Sequence, residues 1–86
     1  MTVDKKSIEE TVRQFICREF GIASSDLSPT TPLFTSRLLR SLDIVDTILM
    51  VEQQYLISIV SLDVGIEQFD TVENIASFVQ ARLAER

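Results

Sequence analysis

Three stretches of this chain carry apolar residues at helical spacing, and the first two are separated by a long stretch that loses the period but keeps the apolar residues. In residues 7–20, Ile8, Val12, Phe15, Ile16 and Phe20 form one stripe. In residues 72–84, Val72, Ile75, Ala76, Val79 and Leu83 do the same, with Phe78 at the edge. Residues 22–40 are punctuated by Ser, Thr and two prolines, yet they hold Leu27, Leu33, Phe34, Leu38 and Leu39. A connection that apolar has to lie against the core, and loops of this length are often functional. Two glycines and two prolines are too few for a β protein with many tight turns. The expected fold is all-α in a single domain over residues 1–86: three main helices, one short helix and one long ordered loop between helices one and two.

Local signals mark the ends. Asp4 or Ser7 is positioned to cap the first helix, Ser7 with Glu10 reads as a capping box, and Gly21 is a stop. The second helix is expected over residues 42–56 with Ser41 as N-cap and Asp43 and Asp46 near its positive end. Its apolar arc is wide. Leu42, Val45, Leu49 and Leu56 are placed inward, extended by Ile44, Ile48, Val51 and Tyr55. Asp43, Asp46, Thr47, Met50, Gln53 and Gln54 make the polar stripe, which leaves Met50 exposed in an acidic rim. Residues 57–60 read as a packed connection, residues 63–68 as one or two helical turns, and Asp70 or Thr71 as the cap of the last helix. The core is expected to gather Ile8, Val12, Phe15, Leu42, Val45, Leu49, Phe69, Val72, Ile75 and Val79, so that Leu49→Ala costs about 2–5 kcal/mol.

The absent residues narrow the chemistry. There is no His and one Cys, Cys17. A Ser-His-Asp triad, a Cys-His pair and a His-containing zinc site are excluded, as is an internal disulfide. Cys17 falls on a flank of the first helix and reads as incidental. Acids outnumber bases 13 to 8, for a net charge of −5, which argues against nucleic acid and anionic membranes as partners. Residues 44–59 are the longest near-apolar stretch, but Asp46, Glu52, Gln53 and Gln54 break it, so no membrane insertion is expected. The start, MTVDKKSIEE, lacks a signal-peptide apolar run, and a cytoplasmic monomer without enzymatic activity of its own is expected. Charge is uneven: residues 41–81 hold seven acids and no Lys or Arg. Such a stretch suits a basic partner, or it is simply a solvated face.

The stretch LFTSRLLRSLDIVDTILMVEQQYLISI resembles the core of acyl carrier proteins, where an LF-type loop and a Gly-Leu-x-Asp-Ser-Leu segment lead into the second helix. The later FDTVENIASFV resembles the start of that family's last helix. The resemblance extends over roughly residues 8–83, and it implies the carrier-protein four-helix bundle. It also implies a covalent 4′-phosphopantetheine arm on Ser41, installed from coenzyme A by a magnesium-dependent phosphopantetheinyl transferase. The arm's thiol would carry an acyl, aminoacyl or peptidyl group as a thioester. The implied partners are that transferase and the loading and biosynthetic enzymes of fatty acid, polyketide or nonribosomal peptide assembly, through basic docking patches. The partner-binding residues would be Arg37, Arg40, Leu42, Asp43, Asp46 and Met50, and an acyl chain would enter near Ile59, Ile66 and Phe69.

Two positions depart from the family. Arg40 stands where Asp is typical before the modified Ser, and Arg37 stands where Gly is typical three residues earlier. Both arginines are expected either to pair with Asp43 and other surface acids or to face the phosphate groups of the arm and of coenzyme A. They would also repel a transferase with a basic docking surface. The competing reading is a carrier-like interaction module that has lost its arm and binds a basic partner through its acidic second helix. An unrelated small helical regulator is a third reading, and acidity makes its DNA-binding form the weakest.

Overall fold

The computed structural model describes residues 4–59 and 65–85. Among the described residues it is helical with no strand: α1 (Lys5–Phe20), α2 (Asp43–Tyr55), α3 (Ile66–Phe69) and α4 (Val72–Ala84). A single 3-10 turn, Ser24–Asp26, interrupts the long connection between α1 and α2. Residues 60–64, which include Val60 and the first part of the expected short helix, lie outside the described residues.

The helix ends follow the local chemistry. Asp4 occupies the N-cap position of α1 with extended backbone, but its side chain makes no cap bond, and Ser7 lies inside the helix. Gly21 stops α1 in the left-handed conformation (φ 67°), where its N–H reaches the Cys17 carbonyl. Thr71 caps α4 by accepting a hydrogen bond from the Asn74 N–H at 3.0 Å.

Packing centres on α4, which is contacted by α1, α2 and α3. Ile8, Val12 and Ile16 from α1 meet Val72, Ile75, Ala76 and Val79 from α4 in one buried cluster with Phe69. Phe15, Cys17, Phe20, Phe78 and Leu83 pack half-buried against it. The Phe69 and Phe78 rings meet edge to face at 5.5 Å. The long connection joins the same cluster, as its composition requires: Leu27, Leu33, Phe34 and Leu39 are buried, Ile22 is half-buried against them, and Leu38 stays exposed.

A loop drawn onto a core has to find partners for its own N–H and C=O groups. Here they come from the α3–α4 junction. The Asp70 carbonyl accepts from the Leu33 N–H at 2.6 Å. The Asp70 carboxylate accepts from the Phe34 N–H at 2.8 Å, the Thr35 N–H at 3.0 Å and the Thr35 hydroxyl at 2.7 Å. Further back, the Pro29 carbonyl accepts from the Glu73 N–H at 2.9 Å, which satisfies a first-turn donor of α4. Arg13 holds the 3-10 turn to α1 through the Ser24 hydroxyl at 2.7 Å, while pairing with Glu10 at 2.8 Å.

The second helix differs most from its expected orientation. Its core face is Ile44, Thr47, Ile48, Val51 and Tyr55. Leu42, Val45, Leu49 and Leu56 face outward, with Leu42 80% and Leu49 48% exposed. Apolar residues occupy about half of this helix's circumference, and only half of that arc fits against the bundle. Thr47, expected on the polar stripe, is fully buried because its hydroxyl donates to the Asp43 carbonyl one turn back at 3.1 Å. Met50, expected to be exposed, is half-buried against the core. Leu42, Val45 and Leu49 therefore leave the expected core.

After α2, Leu56 takes a left-handed conformation (φ 54°), and the Glu52 carboxylate accepts from the Ile59 N–H at 2.8 Å. That bond draws Ile59 into the core, so residues 57–59 are a packed connection as expected.

Two consequences for stability follow from this packing. Ile75→Ala, at a fully buried site, is expected to cost about 2–5 kcal/mol, and Leu49→Ala less than about 1 kcal/mol, by urea denaturation midpoints. Equal losses would return Leu49 to the core. Asp70 supplies the second. Burial alone would raise its pKa, but the Thr35 hydroxyl and the backbone N–H groups of Thr35, Phe34 and Leu33 outweigh it and leave it below its ordinary 3.8. The folded-state value is thus the lower one, so the carboxylate's contribution is complete above the ordinary value and is lost as pH falls below it. Asp70→Asn should flatten the acid limb of the stability–pH profile below pH ~4.

Candidate functional site

Ser41 sits at the start of α2, but it is not the cap. The Arg40 carbonyl accepts from the Asp43 N–H at 2.9 Å, and the Asp43 carboxylate reaches back to accept from the Arg40 N–H at 2.9 Å. That reciprocal pair closes a turn over residues 40–43, with Ser41 inside it; the N-cap position of α2 falls on Leu42, which has no side-chain cap bond. Ile44 N–H to Ser41 C=O at 3.4 Å and Val45 N–H to Leu42 C=O at 3.2 Å continue the turn with short-range bonds. The consequence for Ser41 is chemical. Its side chain is exposed, and among the described residues its hydroxyl has no hydrogen-bond partner. The N–H groups of Ser41 and Leu42 point out of the helix start with none either. A free hydroxyl beside free amide donors, at the positive end of a helix, suits attachment of an anionic group.

The approach to Ser41 is tightly folded. Arg37 N–H bonds to the Phe34 carbonyl at 3.0 Å, and Leu39 N–H returns to the Leu33 carbonyl at 2.8 Å. The Ser36 hydroxyl donates to the Pro32 carbonyl at 2.6 Å and accepts from the Leu38 N–H at 3.3 Å. Closing this turn puts Arg37 at φ 65°, a left-handed conformation that L-residues other than Gly, Asn and Asp rarely adopt. This is the position at which the resemblance expects a Gly.

The expected site residues separate into two groups. Arg37, Arg40, Ser41, Leu42 and Asp46 are exposed around the start of α2. Asp43 and Met50 are not on the open surface: Asp43 is tied to the Arg40 backbone and Met50 packs inward. The pairing of Arg37 or Arg40 with Asp43 does not occur, since among the described residues the one ion pair is Arg13–Glu10. Among the described residues both exposed arginines, four and one positions before Ser41, are without an ion-pair partner. Val45 and Leu49 were missed as surface residues; with Leu42 they make an exposed apolar stripe that begins next to the Ser41 hydroxyl. The excess width of the helix-two arc was the available signal.

Other candidate chemistry is sparse. Among the described residues no group of His, Cys, Asp and Glu could hold a metal ion. One open cleft of about 420 Å³ is lined by Arg13, Gln14, Cys17, Arg18, Ile22 and Ser24. Another, of about 210 Å³, lies between Leu56–Ser58 and the end of α4. Neither includes a residue of the Ser41 region. Among the described residues no helix is long and apolar enough to cross a membrane.

No protein-family model matches the chain. Searches of curated proteins and of solved structures find no match either.

The geometry at Arg37 yields a direct test. Arg37→Gly removes the left-handed penalty but adds chain entropy to the unfolded state, for a net stabilisation of roughly 0.5–1 kcal/mol. A raised thermal midpoint is the expected readout. A lowered midpoint would mean that the Arg37 backbone is not held left-handed.

Proposed function

We propose that the protein is a carrier of the acyl-carrier type, holding acyl, aminoacyl or peptidyl groups on a 4′-phosphopantetheine arm attached to Ser41. The observation that carries this reading is the exposed Ser41 hydroxyl, which has no partner among the described residues and lies in the turn that Arg40 and Asp43 close. Arg37 supports it independently. The family's glycine position coincides with the residue before Ser41 whose backbone takes the glycine-type conformation.

The residues present fit the arm's phosphodiester. The Ser41 and Leu42 N–H groups and the Arg37 and Arg40 guanidinium groups are the donors available to it. When bound, the arm supplies a thiol, a nucleophile this chain otherwise has only in half-buried Cys17. Ser41 Oγ acts as nucleophile at the phosphorus of the coenzyme A diphosphate. Its O–P bond forms as the bond to the leaving nucleotide breaks. Its proton passes to a base on the transferase, since the chain has no His and no carboxylate bonds the hydroxyl. The transferase is a magnesium-dependent phosphopantetheinyl transferase.

The docking surface in this reading is not the Asp43–Asp46–Met50 set but the stripe Leu42, Val45 and Leu49 with Asp46 on its rim. It suits a partner enzyme with an apolar contact patch and a basic margin, because residues 41–81 carry no Lys or Arg. The two arginines act against a generic transferase whose docking surface is basic.

The decisive measurement is intact mass after incubation with coenzyme A, magnesium and a broad-range transferase. The parent protein is expected to gain one phosphopantetheine slowly, Ser41→Ala none, and Arg40→Asp with Arg37→Gly to react faster. A parent that reacts as fast as the doubly restored variant would sink the repulsion. Failure of every variant would leave the arm-less interaction module as the function. Val45→Asp should weaken association with a partner enzyme at least tenfold while leaving the thermal midpoint within a few degrees, as befits a half-exposed site.

A further inference from the structure

We infer that Asp70, distant from Ser41 in sequence, is a positioning residue for the Ser41 site, with Thr35 as its partner. The inference rests on the carrier reading for its functional consequence and on the bond network for its geometry.

The network is continuous. Asp70 lies between two fully buried residues, Phe69 and Val72 at its flanks, with Thr71 capping α4 beside it. It is therefore anchored to the bundle from both sides. Its carboxylate and carbonyl together accept four hydrogen bonds from Leu33, Phe34 and Thr35. Leu33 in turn holds the Leu39 N–H through its carbonyl, and Phe34 holds the Arg37 N–H. The next residue, Arg40, closes a reciprocally bonded turn with Asp43. Ser41 follows directly. Hydrogen bonds and chain neighbours thus link the α3–α4 junction to the Arg40–Asp43 turn that contains Ser41.

Hydrogen bonds to an ionised acceptor are stronger than neutral ones, and three converge on this carboxylate. Without it, the Phe34 and Thr35 N–H groups lose their partner, and the 33–40 turn keeps only the Leu33 N–H bond to the Asp70 carbonyl as its tie to the α3–α4 junction. The buried side chains of Leu33, Phe34 and Leu39 still favour the loop's place on the core. What is lost is the register that holds Arg37 left-handed and turns the Ser41 hydroxyl outward. A nucleophile displaced by about 1 Å from its attack geometry can lose around a hundredfold in rate.

The test compares Asp70→Ala, Thr35→Val and Thr35→Ser with the parent, all on the Arg37→Gly, Arg40→Asp background that modifies fastest. Ile75→Val serves as a control, since it weakens the core without removing any hydrogen bond of the loop. Amide hydrogen exchange by NMR is read at positions 34, 35, 37, 39 and 40 against the α1 and α4 amides. Transferase kcat and KM are read for Ser41 below the melting range of every variant. Asp70→Ala is expected to speed exchange in residues 33–40 selectively and to lower kcat/KM about ten- to a hundredfold. Thr35→Val should act in the same direction to a smaller extent, Thr35→Ser should restore the parent, and Ile75→Val should stay within about twofold in kcat/KM. A folded Asp70→Ala with parent kcat/KM overturns the inference. If Asp70→Ala does not fold, parent-like exchange and kcat/KM in Thr35→Val overturn it. If Ser41 is modified in no variant, the carrier reading falls by itself, and unchanged exchange at residues 33–40 in Asp70→Ala or Thr35→Val then overturns the positioning role separately.

Discussion

A long connection that buries its side chains has to satisfy its backbone, and this constraint organises the molecule. Leu27, Leu33, Phe34 and Leu39 draw residues 22–42 onto the bundle. Once there, the N–H groups of buried Leu33 and Phe34 need acceptors from the protein itself. Asp70 provides them, from the short joint between α3 and α4. The joint and the loop thereby fix each other: α4 receives a carbonyl from Pro29 for its first turn, and the loop receives a carboxylate. The start of α2, and with it Ser41, inherits its place from that exchange.

The second helix shows how an over-wide apolar arc is resolved. Half of the arc packs on the bundle through Ile44, Ile48, Val51 and Tyr55, and the other half remains in water. Leu42, Val45 and Leu49 are exposed and contribute less to folding than the buried half. In the carrier reading, they contact the partner enzyme, and the stripe starts where the arm is attached. An inward Thr47, satisfied by its own helix, is what allows the helix to turn this way without leaving a buried hydroxyl unpaired.

Charge has two distinct uses in this chain. Of the seven acids between residues 41 and 81, Asp43, Glu52 and Asp70 each accept backbone N–H groups, at 40, 59 and 34–35 respectively. They are local structural acceptors. Asp46, Glu67 and Glu73 stay on the exposed surface and carry the field that a basic partner would sense. A count of acids therefore overstates the docking surface. Arg37 and Arg40 oppose that field at one end, and neither is neutralised by a neighbour among the described residues.

The helices themselves were legible in the sequence. The stripes Ile8–Val12–Ile16 and Val72–Ile75–Val79 have one narrow apolar face each, so periodicity alone sets which side is buried. Gly21 as a stop, Thr71 as a cap and the burial of the 22–40 loop are equally local, decided by residue type within a few positions. The rotation of α2 was not local. Its arc admits two phases of similar hydrophobicity, and only the shape of the α4 surface it meets selects one. Ser41 likewise reads as a cap by residue type, and only the folded turn shows the Asp43 carboxylate bonded to the Arg40 N–H and the Ser41 hydroxyl left without a partner among the described residues. Sequence by itself determined that this chain makes helices, where they begin and end within a few residues, and that its loop is buried. Tertiary structure decided which half of helix two faces water, and it brought Asp70 to the loop that presents Ser41, because both depend on contacts between residues too far apart for any periodicity to report.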